Sequence, residues 1–289
     1  MKPESWSFAS GAAVAREAAF LPGRAIEELA VLSPQEVSTR LSRTWFGPAE
    51  PLPQFDRLAS ERRAKEFEYF EKISPGTAPV DLLRLGLAAD RLRAGLAEIP
   101  DAADAGDLAQ GLAQLAIRAG RFHEEFREEL SPPLPSPEPS ARLAAALLID
   151  SAELAIGERI AAGSGEAMLQ RWAEARTSAM AGKVGVRALR LGMPKDPLFL
   201  FFFRDRILPD RARDLRNDYR EQTALRLYPP GCEPGREEAF LLGLAGESKG
   251  QPFSAAVVLR YLLGYLEQER LIRLAVYAAL GKTLKREAA

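Results

Sequence analysis

The sequence predicts an all-α protein. Ala and Leu, which lose little on entering a helix, number 48 and 41, whereas β-branched Val and Ile number only 9 each. No segment alternates apolar and polar residues between turn dipeptides in the way a half-buried strand would. Gly- and Pro-rich breaks divide the chain into helix-sized pieces, so local propensity and punctuation agree.

Taken in order, the first clear helix start is Ser33-Pro34-Gln35-Glu36, a capping Ser with Pro at the first helical position and an acid at the third. Breaks follow at Gly47-Pro48 through Pro53 and at Ser74-Pro75-Gly76. In the next helix Leu82, Leu85 and Leu92 fall near one face, and the charges project elsewhere. Residues 131–140 hold five prolines and read as an extended, semi-rigid connector. This gives an expected organisation of residues 1–130 (a first lobe and part of a second), a linker at 131–140, and residues 141–289 (the rest of the second lobe and a third). Ser164 is expected to cap the helix opening at Gly165-Glu166-Ala167, and further breaks fall at Pro194–Pro197 and at 228–235. The run Leu198, Phe199, Leu200, Phe201, Phe202 and Phe203 reads as a buried helix, with a docking patch as the alternative.

Composition excludes several function classes. The 289 residues carry 39 Lys+Arg against 40 Asp+Glu, so the uncompensated positive charge expected of a nucleic-acid-binding protein is missing. With 47% hydrophobic residues the chain can bury a real core and is not a disordered one. One His and one Cys exclude, within one chain, a zinc finger, a disulfide framework and a Cys–Cys redox pair. The single Cys fits a reducing compartment. The longest apolar run has six residues where a membrane span needs roughly 20, and the start of the chain lacks a secretory pattern, so a cytoplasmic location is expected.

Candidate chemistry is sparse. His123 lies in Arg121-Phe122-His123-Glu124-Glu125-Phe126-Arg127, where position 127 is Arg and the second His of a zinc-protease helix is missing, so it reads as part of a charged helix face. Residues 243–250 hold Gly243, Gly246, Ser248, Lys249 and Gly250, but Ser precedes Lys and no strand leads in, which fits a helix end with a glycine exit better than a phosphate loop. Cys232 sits in a Pro/Gly loop with no base placed near it. No catalytic residue, metal ligand or cofactor is expected.

One regularity remains. Arg93, Arg187 and Arg273 each lie in an Arg-containing apolar stretch of a long helix, spaced 94 and 86 residues apart, as three repeated cassettes would place them. Trp6-Ser7-Phe8, Leu32-Ser33-Pro34-Gln35-Glu36-Val37, Leu41 to Trp45, Glu61 to Ile73, Ile149-Asp150, Arg187-Ala188-Leu189-Arg190-Leu191-Gly192, and above all Tyr261-Leu262-Leu263 with Arg270, Ile272, Arg273 and Gly281-Lys282, follow one another in a recognisable order. In that order the chain resembles the C-type subunit of the A/V-type rotary ATPases, the counterpart of the d-type subunit in the eukaryotic vacuolar enzyme. Ala88, Arg91, Ser178, Ala181, Leu266 and Gln268 depart from the family pattern, which points to a divergent member or a paralogue with altered partners.

The resemblance implies three pseudo-repeated helical lobes forming a funnel, on the cytoplasmic face of the membrane rotor ring. Its partners would be the ring and the central-stalk subunits, with no nucleic acid and no direct membrane insertion. The role would be mechanical and non-catalytic, coupling the stalk to the ring for ATP-linked H⁺ or Na⁺ transport. A helical scaffold or adaptor of the same fold with a different protein partner is the alternative. Arg93, Arg187 and Arg273 are the partner-interface candidates, either lining the socket or pairing with carboxylates between helices.

Overall fold

Among the described residues every regular element is helical, as propensity requires. The structure, a computed structural model, describes residues 5–47, 54–101, 103–131, 140–204, 207–247 and 252–287. The helices are α1 (Ser7–Glu17), α2 (Gly23–Leu29), α3 (Pro34–Leu41), α4 (Phe55–Ile73), α5 (Ala78–Ala94), α6 (Ala105–Ala116), α7 (His123–Leu130), α8 (Ala141–Gly163), α9 (Ala167–Arg190), α10 (Lys195–Phe201), α11 (Pro209–Asn217), α12 (Glu221–Leu225), α13 (Glu237–Gly246) and α14 (Ala255–Glu287).

Side chains set several of these boundaries. At α3 the expected capping box forms: the Glu36 amide donates to Ser33 Oγ, and the Ser33 amide donates to Glu36 Oε2 at 2.9 Å. Asp104 caps α6 by accepting from the amides of Gly106 and Asp107, and Ser140 caps α8 by accepting from that of Leu143. Ser164 behaves otherwise than expected. It is the C-cap of α8, its Oγ donating to the Ala161 carbonyl, while α9 starts after Glu166 with no side-chain cap. Two turns of 3₁₀ helix join α6 to α7 across Gly120, whose φ of 62° is open to glycine and costly for other residues.

The chain folds as two units, Asp81–Ala245 and the pair of flanking segments Met1–Val80 with Gly246–Ala289. This is not a division at the proline run. Residues 132–139 lie outside the described residues, but Phe126 and Leu130 before them share one hydrophobic cluster with Ala141, Ala144 and Ala145 after them.

Within Asp81–Ala245, α8 is the central helix. Its apolar residues are not confined to one face, and Ala144, Leu148, Ile149, Ala152 and Ile156 are all buried, which is the pattern of a helix with several packed neighbours. It packs against α6, α7, α9 and α10. The aromatic run of α10 is buried as expected, with Leu198, Phe199, Phe201, Phe202 and Phe203 inside and only Leu200 exposed. Leu82, Leu85 and Leu92 of α5 are buried together, again as their spacing predicts.

In the other unit α14 is the central helix and packs on α1, α2, α3 and α4. Ile272, Ala275, Val276 and Ala279 of α14 meet Leu29, Val37, Leu41, Phe46, Phe55 and Ala59. The Phe46 and Phe55 rings stack at 5.2 Å between centroids. Gln268, one of the departures from the family pattern, joins the two ends of the chain: its Oε1 accepts from the Leu21 amide at 2.9 Å, and its Nε2 donates to the Leu21 carbonyl at 3.0 Å. The α1–α2 connection is thereby fixed against α14.

A close approach explains one glycine. The Tyr228 ring lies against α9 at Gly182, where a Cβ would overlap the ring. The ring cannot easily retreat, because its hydroxyl donates to Glu237 Oε1 at 3.0 Å. Gly182→Ala, a change that favours an exposed helix, should here destabilise the protein by about 1–3 kcal/mol through overpacking. Urea unfolding measures this directly; an unchanged or raised midpoint would contradict the packing described.

Candidate functional site

The polar residues that the helices enclose are organised around buried carboxylates. Glu153 of α8 is 2% exposed and has a guanidinium on each oxygen, Arg176 of α9 on Oε1 and Arg93 of α5 on Oε2. Arg93 also donates from Nε to Asp150 Oδ1 at 2.8 Å and from Nη1 to Asp90 at 2.7 Å. One fork therefore ties α5 to two successive turns of α8, and Arg176 adds α9. Burial works to lower the Arg93 pKa, but the charges of Glu153 and Asp150 outweigh it and hold the guanidinium above its ordinary value. For Asp150 burial prevails over Arg93, and the carboxyl is raised.

Unit Met1–Val80 with Gly246–Ala289 repeats the device with a difference. Glu269 of α14, also 2% exposed, accepts from Arg63 of α4 at 3.0 Å and from Arg273 at 2.8 Å, both on Oε1. Its Oε2 is buried without a hydrogen-bond partner. Arg273 Nε lies 3.0 Å from Asp56 Oδ1, close enough for charge attraction but not aligned as a hydrogen bond. Burial raises the Glu269 carboxyl above the usual range, the Arg63 and Arg273 charges oppose this, and Asp56 adds to it. A second staple lies nearer the chain ends. Glu66 of α4 accepts from Arg16 at 2.6 Å and from the Tyr261 hydroxyl at 2.7 Å, linking α1, α4 and α14. In unit Asp81–Ala245 a buried Glu129 of α7 likewise accepts from Arg159 of α8 at 2.5 Å.

The three arginines singled out in the sequence thus divide. Arg93 and Arg273 are held between helices by carboxylates, whereas Arg187 is exposed on α9 and has no side-chain partner among the described residues. The carboxylates themselves, Glu153 and Glu269, escaped sequence reasoning. Their signal is position: Glu153 falls on the stripe Ile149, Ala152, Ile156 and Glu269 on the stripe Tyr265, Ile272, Val276, both otherwise apolar. An acid on a core stripe calls for an arginine.

The remaining candidates form no catalytic arrangement among the described residues. His123 opens α7, partly exposed, with Nδ1 3.5 Å from Glu124, and Arg127 pairs with Glu124 at 2.5 Å on the same face. Arg121 reaches Asp81 at the start of α5. Cys232 is buried, and burial followed by the Glu237 charge pushes its thiol up, away from the thiolate form a nucleophile uses. Gly243 and Gly246 lie in the last turns of α13, while Ser248, Lys249 and Gly250 fall outside the described residues. No helix among the described residues is long and apolar enough to cross a membrane. A cavity of about 300 Å³ opens beside the Glu66 staple. Comparison with protein-family models and with curated proteins finds no match.

The incomplete clamp on Glu269 has a pH signature. A carboxyl raised on folding stabilises the folded state below its unfolded pKa, and the contribution is lost as pH rises through the folded value. Relative to Glu269→Gln, the parent protein should therefore lose stability as pH rises from below the ordinary carboxyl value of about 4.3 toward neutrality. Urea midpoints of both proteins across that range measure the difference, and a parent advantage that grows with pH would contradict the burial-dominated direction.

Proposed function

We propose that the chain is a non-catalytic central-rotor subunit of a V/A-type ATPase, similar to the C-type subunit of that family. In this role it is a socket on the cytoplasmic side of the membrane rotor ring that receives the central stalk. Torque then passes between stalk and ring as ATP chemistry is exchanged for H⁺ or Na⁺ movement. The reading entails three pseudo-equivalent lobes arranged as a funnel, peripheral to the membrane and held there by protein partners.

One observation carries the reading. The block on which the resemblance is most specific is also a structural staple: Tyr261 bonds Glu66 on α4, Ile272 is in the core, and Arg273 bonds the buried Glu269. A part that transmits torque must resist sliding of helix on helix. Directional, charge-assisted bonds between buried groups resist it better than apolar contact alone, because a shift of one turn leaves charges unpaired. The recurrence of an arginine-clamped Glu on the central helix of each unit supports a repeated organisation. Arg187, exposed and unpaired among the described residues, is the candidate best placed to meet a partner.

A second reading, a helical scaffold or adaptor with a different protein partner, is favoured by Ala88, Ser178 and Ala181. These are buried where the resembled family carries polar residues, so the helix contacts there have become close-packed and small. Co-expression with the stalk and ring subunits of the same source separates the two. The rotor reading expects both to co-purify with the chain; recovery of neither overturns it. Arg187→Ala should weaken retention of the stalk with the thermal midpoint unchanged, whereas Arg93→Ala should lower that midpoint by several degrees.

A further inference from the structure

The C-terminal half of α9 lacks an arrangement that several other helices have. Elsewhere an exposed arginine is matched by an acid one turn away on its own helix, as in Arg57–Glu61 of α4, Arg127–Glu124 of α7 and Arg270–Glu267 of α14. Residues 175–191 carry Arg176, Lys183, Arg187 and Arg190 and no acid at all. Two of these cations are answered from other helices, Arg176 by Glu153 of α8 and Arg190 by Glu221 of α12. Lys183 is exposed and makes no salt bridge among the described residues. Glu237 feels its charge, but that carboxylate is already bonded by the Tyr228 hydroxyl and the Gly235 amide, each at 3.0 Å. Arg187, also exposed, has no side-chain partner among the described residues.

The same face ends in an exposed apolar side chain. Leu191 is 70% exposed, yet its amide still donates to the Arg187 carbonyl at 3.0 Å, so it continues the helix until Gly192, at φ 65°, ends it. Lys183, Arg187 and Leu191 are four residues apart in turn and therefore stand on successive turns of one face. The helix dipole favours a cation in the last turn, which suits Arg187 and Arg190. It does not extend to Lys183, two turns in, and gives no reason for an exposed leucine.

We propose that this face of α9 docks a helix of a protein partner that carries two carboxylates on successive turns, opposite Lys183 and Arg187, followed by an apolar side chain against Leu191. Charge complementarity selects this occupant: a face with cations and no acids of its own calls for acids, and the leucine gives a protein side chain, but no phosphate backbone, something to bury. The surface includes Arg187, so it rests on the reading of that residue as a partner contact, and it adds the chemistry of the partner, rotary stalk or not.

Fluorescence anisotropy of two labelled, alanine-rich helical peptides of about 20 residues, titrated with the full-length protein, tests it. One peptide bears Glu, Glu and Leu on successive turns, the other Lys, Lys and Leu. At low salt the glutamate peptide should bind at least about tenfold more tightly than the lysine peptide. Arg187→Glu, at an exposed position, should keep the thermal midpoint and cut that preference about tenfold or more. Failure of the glutamate peptide to bind at millimolar concentration overturns the site, and so does a preference that Arg187→Glu leaves unchanged. A DNA duplex bound as tightly as the glutamate peptide overturns the choice of partner. Because no stalk or ring subunit enters the titration, its failure is read separately from a failure to co-purify with them.

Discussion

A buried glutamate held by two arginines is the constraint on which each unit depends. A carboxylate 2% exposed cannot remain ionised in an apolar helix bundle without partners, because the desolvation cost far exceeds any packing gain. Glu153 therefore dictates where Arg93 and Arg176 must be, and with them the register of α5 and α9 on α8. Glu269 does the same for α4 on α14 through Arg63. The hydrophobic clusters supply most of the stabilisation, but apolar contact tolerates sliding and these charges do not. Removing one partner of such a set leaves the other charge buried, typically at a cost of about 3–5 kcal/mol.

The two clamps differ in completeness. At Glu153 both oxygens are bonded and Asp150 adds a second acceptor for Arg93, which gives a closed network. At Glu269 both arginines crowd one oxygen, and the other is buried with no hydrogen-bond partner. The tighter network lies in the continuous segment of the chain, and the looser one lies where the two chain ends are brought together. There Gln268, the Glu66 staple and the stacking of Phe20 on Tyr261 at 5.4 Å share the work of holding α1 and α4 to α14.

Local features are legible in the sequence and long-range ones are not. The Ser33 capping box, the buried leucines of α5 and the buried aromatic run of α10 all follow from spacing within one helix. Ser164 misleads because a serine between two helices can serve the end of one as readily as the start of the next, and the glycine after it favours the first. The proline run suggests a boundary because extended, proline-rich chain usually marks one. The division instead follows apolar faces, and Phe126 and Ala141 on either side of that run belong to one cluster. Arg93 and Arg273 stand out as arginines in apolar stretches, but the acids that hold them are set by the fold, 60 residues away for Glu153 and four for Glu269. Arg187 has Lys183 one turn before it where Arg273 has Glu269 and Arg93 has Asp90, a local difference that marks it as the one of the three arginines with no such acid against it among the described residues.

Native-state hydrogen exchange on Glu153→Gln tests the central claim most directly, because it reads each helix separately. If the arginine-clamped glutamate fixes its own unit, amides of α5, α8 and α9 lose protection together while those of α4 and α14, held by Glu269, keep theirs. Unchanged protection of α5 and α9, with loss confined to the turn around residue 153, would contradict it.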